Sequence, residues 1–421
     1  MSIREEKGRQ IADKARIVKS GGLYLVPSQS SSKKYKVDPE AQSCSCPDFE
    51  FTQSKCKHIF AVEFTVERER KVITETQPDG STKTTVTETV KVTRKTYPQV
   101  WSAYNAAQTQ EKRLFLYLLH QLAQGVGSPA QVMGRPRLSF EDMIFAMAYK
   151  VYSTVSGRRF MTDLRDAHAK GYMESLPCYN SIFNYFESEA LTPYLQMLIE
   201  ESALPLASIE QDFAADSSGL STGVFKRWND TKWGKVRTEF GDKVPNQVNR
   251  RDWLKIHIMC GVTTNVVTAV EVTDAHAGDS PKFKPLVETT ARNFAMRQVS
   301  ADRAYLSSNN LKTVAEHQAM PYIPFKVTST GNAPKSSDLF KKMYHFYSYN
   351  QERFMQNYHK RSNVESTFHM IKSKFGDSLR SKTERAQINE ALCKILCHNI
   401  CCLIQSMYEL NLKPKFWKEV A

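Results

Sequence analysis

No stretch of this sequence is apolar for long enough to cross a membrane: no run approaches the roughly 18 apolar residues that a spanning helix requires. The first ten residues, MSIREEKGRQ, are charged where a secretory leader would carry an apolar core, so a cytoplasmic setting is expected. True internal repeats are missing as well. Acidic residues are in short supply, 44 Asp and Glu against 58 Lys and Arg, which leaves a formal charge of +14. Such a surplus favours a polyanionic partner, nucleic acid first, because Lys and Arg that neutralise phosphates release condensed counterions. In a reducing interior the nine cysteines are not expected to form disulfides, so those with meaningful spacing read as metal ligands or buried thiols. What is present suffices for folding: 421 residues, 41% of them hydrophobic, can bury sizeable cores in two or three domains.

Four textures follow one another along the chain. In 1–66, YLVPSQSSSKKYKVD reads as two short strands around a polar turn, followed by a cysteine cluster. Residues 67–97 are rich in Thr and Val at period two, with Pro78, Asp79 and Gly80 placed for a turn. A hairpin or an extended linker fits, and because a lone hairpin is marginally stable the segment is read as a spacer. Residues 98–204 read as helices, among them SFEDMIFAMAYKVYSTV, opened by Ser139 with Asp142 three residues on in a capping-box pattern. The GRPR at Gly134–Arg137 reads as a basic turn before that cap, with a minor-groove arm as the other reading. In 205–421, SIEQDFAAD, LKIHIMCGV, NVVTAVEVT and RQVSAD are strand-like, the middle two joined by a Thr-Thr-Asn turn, which points to a mixed α/β sheet.

The cysteine cluster, CSCPDFEFTQSKCKHI, sets Cys44, Cys46, Cys56 and His58 in the pattern C-x-C-x9-C-x-H. Three thiolates and one imidazole complete a tetrahedral Zn2+ shell with no open position, which makes the expected role structural, with the metal supplying much of the folding free energy. With the preceding hairpin and the residues CPDF and CKHI, the stretch resembles a SWIM-type zinc finger. That resemblance implies a module for binding DNA or protein, without chemistry of its own.

Near the C-terminus, YHKRSNVESTFHMIK spaces four polar groups in a telling way. On a helix at 100° per residue, Tyr358, Arg361, Glu365 and Lys372 fall within one arc of about 60°, and Val364, Phe368, Ile371 and Phe375 form an apolar stripe beside it. One flank is expected to pack on a core while the other overlooks a cleft. Glu365 and Lys372 are separated by a rise of about 10 Å, too far for a salt bridge and suited to a phosphate backbone. A solvated charged face is the plainer reading of this helix alone. Two further acids change the balance: FAADSSGLS brings Asp216 to the end of one predicted strand and VSADRAYLS brings Asp302 to the end of another. Three unpaired carboxylates held together would raise one another's pKa unless a cation such as Mg2+ sat among them.

Tyr358, Arg361, Glu365 and Lys372 match Y-x2-R-x3-E-x6-K, and from about 135 to 418 the chain resembles the bacterial and archaeal insertion-sequence transposases with a DDE site. That likeness implies an RNase H-like catalytic core, with Asp216, Asp302 and Glu365 as its triad at separations of 302 − 216 = 86 and 365 − 302 = 63 residues. It implies two Mg2+ or Mn2+ ions held by those acids, water freeing a 3′-OH at the element's end, and that 3′-OH attacking target DNA. Arg361 and Lys372 would grip phosphates and Tyr358 would hydrogen-bond one nearby. The implied partners are the terminal inverted repeats and the target duplex, with a homodimer assembling on DNA in the prokaryotic nucleoid.

The sequence departs from this family in one respect: members that resolve ends through a DNA hairpin hold a flipped base on a tryptophan shortly after the second Asp, and residues 303–316 contain none. Tyr305 stacks in its place or simply packs. Asp212 shares strand parity with Asp216 but lies four residues back, and Ser217, Ser218 and Gly219 mark the open strand end, so Asp216 is preferred. The segment 224–253 mixes basic residues with Trp228, Trp233 and Trp253, a composition for a DNA groove or for anchoring a long loop. His276 and Asp279 follow the third strand as site-shaping residues or as a turn with a capping aspartate. Cys393, Cys397 and Cys401 recur every four residues, which reads as a buried helix face. A transposase-derived regulator without cleavage, or a nuclease without strand transfer, is the rival function.

Overall fold

Tyr24 and Val26 turn inward from one short strand and Val37 from the next, so alternate residues build a core of the period-two kind. In this computed structural model the described residues are 3–15, 17–20, 23–29, 33–76, 82–92, 100–129, 131, 133–134, 136–222, 253–326, 329–330 and 337–417. They belong to two compact units, Met1–Gln99 and Val100–Ala421.

The first unit opens with α1 (Ile3–Lys14). The strands β1 (Val18–Ser20), β2 (Leu23–Pro27), β3 (Lys34–Asp38) and β4 (Ser43–Cys44) then form an antiparallel sheet in sequence order. Two helices follow, α2 (Pro47–Thr52) and α3 (Lys57–Thr65). The core is small: Ile11, Tyr24, Val26, Val37, Ile59 and Val62 close around the three cysteines. Next, β5 (Val66–Thr76) and β6 (Thr82–Val92) pair antiparallel from Val66 with Val92 to Thr76 with Thr82. The Thr/Val segment is therefore a hairpin and not an extended spacer, while its Pro78–Gly80 turn lies outside the described residues.

The second unit begins with α4 (Trp101–Gln124), α5 (Phe140–Ser153), α6 (Gly157–Ala169), α7 (Tyr179–Phe186) and α8 (Leu191–Ala203). The Ser139 hydroxyl accepts the Asp142 amide at 3.1 Å as half of a capping box. The other half is diverted, since the buried Asp142 carboxylate accepts the backbone N–H groups of Glu174 (3.0 Å) and Ser175 (2.8 Å) and so ties down the loop after α6. Of the GRPR turn, Gly134 takes a positive φ of 96°, and Arg135 lies outside the described residues.

A five-stranded mixed sheet follows: β7 (Asp212–Ser221), β8 (Trp253–Gly261), β9 (Val267–Asp274), β10 (Gln298–Ala301) and β11 (Met320–Tyr322), in the spatial order β11-β10-β7-β8-β9. The Thr-Thr-Asn turn joins β8 to β9, and β7, β8 and β9 run antiparallel. On the other side of β7 the strands are parallel, with α9 (Ser280–Ala291) between β9 and β10 and α10 (Ser308–Glu316) between β10 and β11. The mixed α/β fold expected from sequence is thus the fold observed. The chain ends in α11 (Asp338–Tyr349), α12 (Gln351–Tyr358), α13 (Ser362–Phe375) and α14 (Glu384–Glu409).

Helix α14 is long and apolar enough to cross a membrane by composition, contrary to the expectation from sequence, but 78% of its most apolar window is buried. It packs on α4, α5 and α8 and on β8 and β9, so the helices and the sheet share one core. Cys393 and Cys397 lie on its buried face as expected, whereas Cys401, read with them from the sequence, is only half-buried, 3.3 Å from Lys374 Nζ.

Candidate active site

Strand β7 is buried from Asp212 to Ala215 and becomes partly exposed at Asp216, but it does not end there as the sequence reading had it: Ser217, Ser218 and Gly219 continue the strand to Ser221, paired with β8. Strand β10 is buried throughout, and Asp302 is the first residue past it. The parallel register that pairs Ala301 with Ala215 therefore brings Asp302 level with Asp216 where both chains leave the core. Asp302 caps the short 3-10 turn Arg303–Tyr305 by accepting the Ala304 amide at 2.7 Å, and Asp216 accepts the Ser217 amide at 2.8 Å. Helix α13 lies over this end of the sheet, anchored on β7 and β8 by the buried Val364, Phe368, Ile371 and Phe375, the apolar stripe read from the sequence. Glu365 projects from its exposed flank.

The guanidinium of Arg361 joins two of the three acids, donating to Asp216 Oδ2 at 2.7 Å and to Glu365 Oε1. The carboxylates are therefore not unpaired, as the sequence reading had them: a positive charge lies between two of them. Even so, the Asp216 carboxyl is pushed above its usual range. Burial is the main cause and the charges of Asp302 and Glu365 add to it, against the Ser217 amide and Arg361.

The continuous helix expected over 358–375 is interrupted by a 3-10 turn at His359–Arg361, so Tyr358 ends α12 while Glu365 and Lys372 belong to α13. The tighter turn lets Lys360 reach Asp212 at 2.8 Å. Tyr358 stays beside the cluster, its ring centroid 5.9 Å from the Arg361 guanidinium carbon. Lys372 donates to Ser218 Oγ at 2.7 Å, and burial holds its amine below the usual value against the opposing charge of Asp377.

In the first unit, Cys44, Cys46, Cys56 and His58 are all buried, and their ligand atoms lie within 4.8 Å of one another. His58 Nδ1 is 3.9 Å from both Cys44 Sγ and Cys56 Sγ, and Nε2 points away without a partner. Zn–S and Zn–N bonds of tetrahedral zinc place neighbouring ligand atoms ~3.5–3.8 Å apart, so these four residues fit the ion with Nδ1 as the imidazole ligand. A bond from Cys44 draws the Cys56 thiol down to about 3, while Cys44 is pushed up by that bond and by burial.

Residues 208–400 match the transposase DDE domain and residues 33–67 the SWIM zinc finger. This chain carries a transposase DDE domain preceded by a SWIM zinc finger. No curated relative matches it. Among solved structures, a piggyBac transposase in a synaptic complex with hairpin DNA is similar at 11% identity and a TM-score of 0.37, covering 71% of this chain and 77% of that one. A likeness so slight supports nothing further here.

Asp216, Asp302 and Glu365 offer carboxylate oxygens, the ligand type that Mg2+ or Mn2+ takes. Among the described residues only the Cys44, Cys46, Cys56 and His58 group stands close enough to hold an ion as it is, whereas Asp216 and Glu365 are joined through Arg361. Asp212 stands apart from the cluster: burial pushes its carboxyl up, but Arg297 at 2.6 Å and Lys360 at 2.8 Å outweigh that and hold it low.

A polar group behind Asp216 was only half visible in the sequence. Asp279 makes no capping bond to α9 and instead accepts from Ser217 Oγ and Lys255 Nζ, each at 2.7 Å. His257 Nδ1 lies 3.4 Å from the same carboxylate, but burial pushes that imidazole down to about 4, so it is neutral and Lys255 supplies the matching charge. Lys255 and His257 stand on β8 at period two, the only signal that pairs them. His276 is exposed, and its amide donates to Asp274. Tyr305 is fully buried against Phe283, a packing position closed to any extruded base. Trp253 packs beside Gly219, where an added Cβ would lie 3.0 Å from the indole, and Trp228 and Trp233 lie outside the described residues.

Proposed function

We propose that this protein is a DNA transposase whose DDE domain hydrolyses one strand at the terminal inverted repeats and then joins the freed 3′-OH to target DNA. The observation that carries this reading is that Asp302, just past the end of β10, comes level with Asp216 on the adjacent parallel strand β7, with Arg361 linking Asp216 to Glu365. Asp216, Asp302 and Glu365 would hold Mg2+ or Mn2+. When bound, such ions activate the attacking oxygen and stabilise the one that leaves. The chain's own part is positioning: burial on β7 and β10 fixes two carboxylates, and the α13 apolar stripe fixes the third. Arg361, with its planar fork, takes a phosphate near the reacting one, Lys372 a phosphate farther along α13, and Tyr358 a phosphate oxygen beside Arg361. The net charge of +14 suits that partner. The helices between 98 and 204 and the zinc finger recognise the repeats, and two copies pair two ends, in the cytoplasm at the nucleoid.

Incubating labelled terminal-repeat DNA and a target duplex with Mn2+ and the parent protein, Asp216→Ala, Asp302→Ala or Glu365→Ala tests this. Binding is expected in all four, with nicking and joining only in the parent. Uncut DNA throughout supports a transposase-derived regulator instead, and nicks without joined products support a nuclease.

A further inference from the structure

Where α13 ends and α14 begins, a cavity of about 500 Å3 opens against α5 and α7, within the size range of ligand pockets. Its charged lining is Lys150, Arg380, Lys382 and Lys394 against Glu187 and Glu390, a balance of 4 − 2 = +2. Several of these groups are already engaged. Glu390 accepts the backbone amides of Arg380 at 3.0 Å and Ser381 at 2.8 Å. Lys394 donates to the carbonyls of Gly376 at 2.9 Å and Ser378 at 2.7 Å, and Arg380 donates through one guanidinium nitrogen to the Thr154 carbonyl.

The Lys150 ammonium has no hydrogen-bond or ion-pair partner among the described residues. Burial lowers its amine, with Arg380 acting in the same direction and Glu390 opposing. A partly desolvated cation without a partner favours an anion in the cavity. The walls add a second requirement. Phe186 and Phe375 are buried in them, while Phe183 is 44% exposed. Phe183 lies over Gly157, where an added Cβ would come within 2.5 Å of the ring tip. A ligand that is both anionic and flat fits these walls.

Phe375 is ten residues past Glu365, about 15 Å along the helix, with Lys372 between them. A strand leaving the acidic cluster along Lys372 therefore runs toward the cavity. We propose that the cavity holds one nucleotide of a DNA strand, its base against Phe183 and its phosphate on Lys150 and the unengaged donors of Arg380. This rests on the proposed function for the strand itself and adds a second contact point outside the catalytic cluster.

The test is fluorescence anisotropy of a labelled single-stranded 20-mer with the full chain, Lys150→Met and Phe183→Ala, across a salt series, with melting curves confirming that the variants fold. Both variants are expected to bind at least about fivefold more weakly, the low end of one stacked base. Only Lys150→Met should flatten the salt slope, by about 0.7 for one lost phosphate contact. Unchanged affinity in folded variants overturns the proposal, as does a variant effect on free dAMP binding with none on the oligonucleotide. A parent that binds the oligonucleotide through this cavity yet never cuts repeat DNA would sink the cutting reading and leave the cavity standing. A parent that cuts while the variants bind normally would do the reverse.

Discussion

Asp212 and Asp216 are the same side chain on the same face of one strand, four residues apart, and their surroundings treat them oppositely. Arg297 and Lys360 hold Asp212 ionised, whereas burial and the charges of Asp302 and Glu365 work against ionisation at Asp216. A carboxyl whose folded pKa is raised costs stability once it ionises, so without divalent metal the protein should lose stability as pH rises through the Asp216 pKa. Asp216→Asn removes that loss. In thermal melts at neutral pH without metal, the variant is expected to match or exceed the parent. Saturating Mn2+ should stabilise the parent by about 2.7 kcal/mol at 100-fold excess over Kd and the variant far less. Equal metal shifts in the two proteins would remove Asp216 from the ligand set. The sequence distinguished these residues only by the small Ser-Ser-Gly that follows Asp216; the pairing of Asp212 depends on Arg297, 85 residues away.

At the scale of elements, local signals set boundaries well and orientations less well. The Ser139 cap starts α5 where the sequence places it, because a cap needs only residues within one turn. The partner of Asp142 lies across α6, beyond any local pattern, and two backbone amides depend on that buried carboxylate. Asp142→Ala is expected to cost about 1–3 kcal/mol in urea denaturation of the Val100–Ala421 unit, while metal and DNA binding at the acidic cluster stay unchanged. A cost below about 0.5 kcal/mol would place those amides on water instead. The 3-10 turn before α13 was invisible for a similar reason. Helical spacing favours continuity through 358–375, and the ion pair of Lys360 with Asp212 on β7 accompanies the break.

At the scale of the whole molecule, the chain is two units with separate cores, and the smaller one closes around its four metal ligands. Structural zinc contributes on the order of 10–16 kcal/mol in zinc-finger peptides, as much as the total stability of an ordinary domain. A zinc-selective chelator should therefore abolish amide-exchange protection in β2, β3 and α3 while that of β7, β8 and β10 is retained. Retained protection in the first unit would show that its small core suffices without the ion. The sequence by itself determined the clustered Cys3His set, the alternation of strands and helices, and that Asp302 follows a strand end. All of these depend on spacing within a few residues, where backbone geometry dictates which side chains share a face. Only the tertiary structure decided that Arg361 lies between Asp216 and Glu365 and that Asp279 backs Ser217. Each depends on strand register and helix packing, which bring together residues that no local period relates.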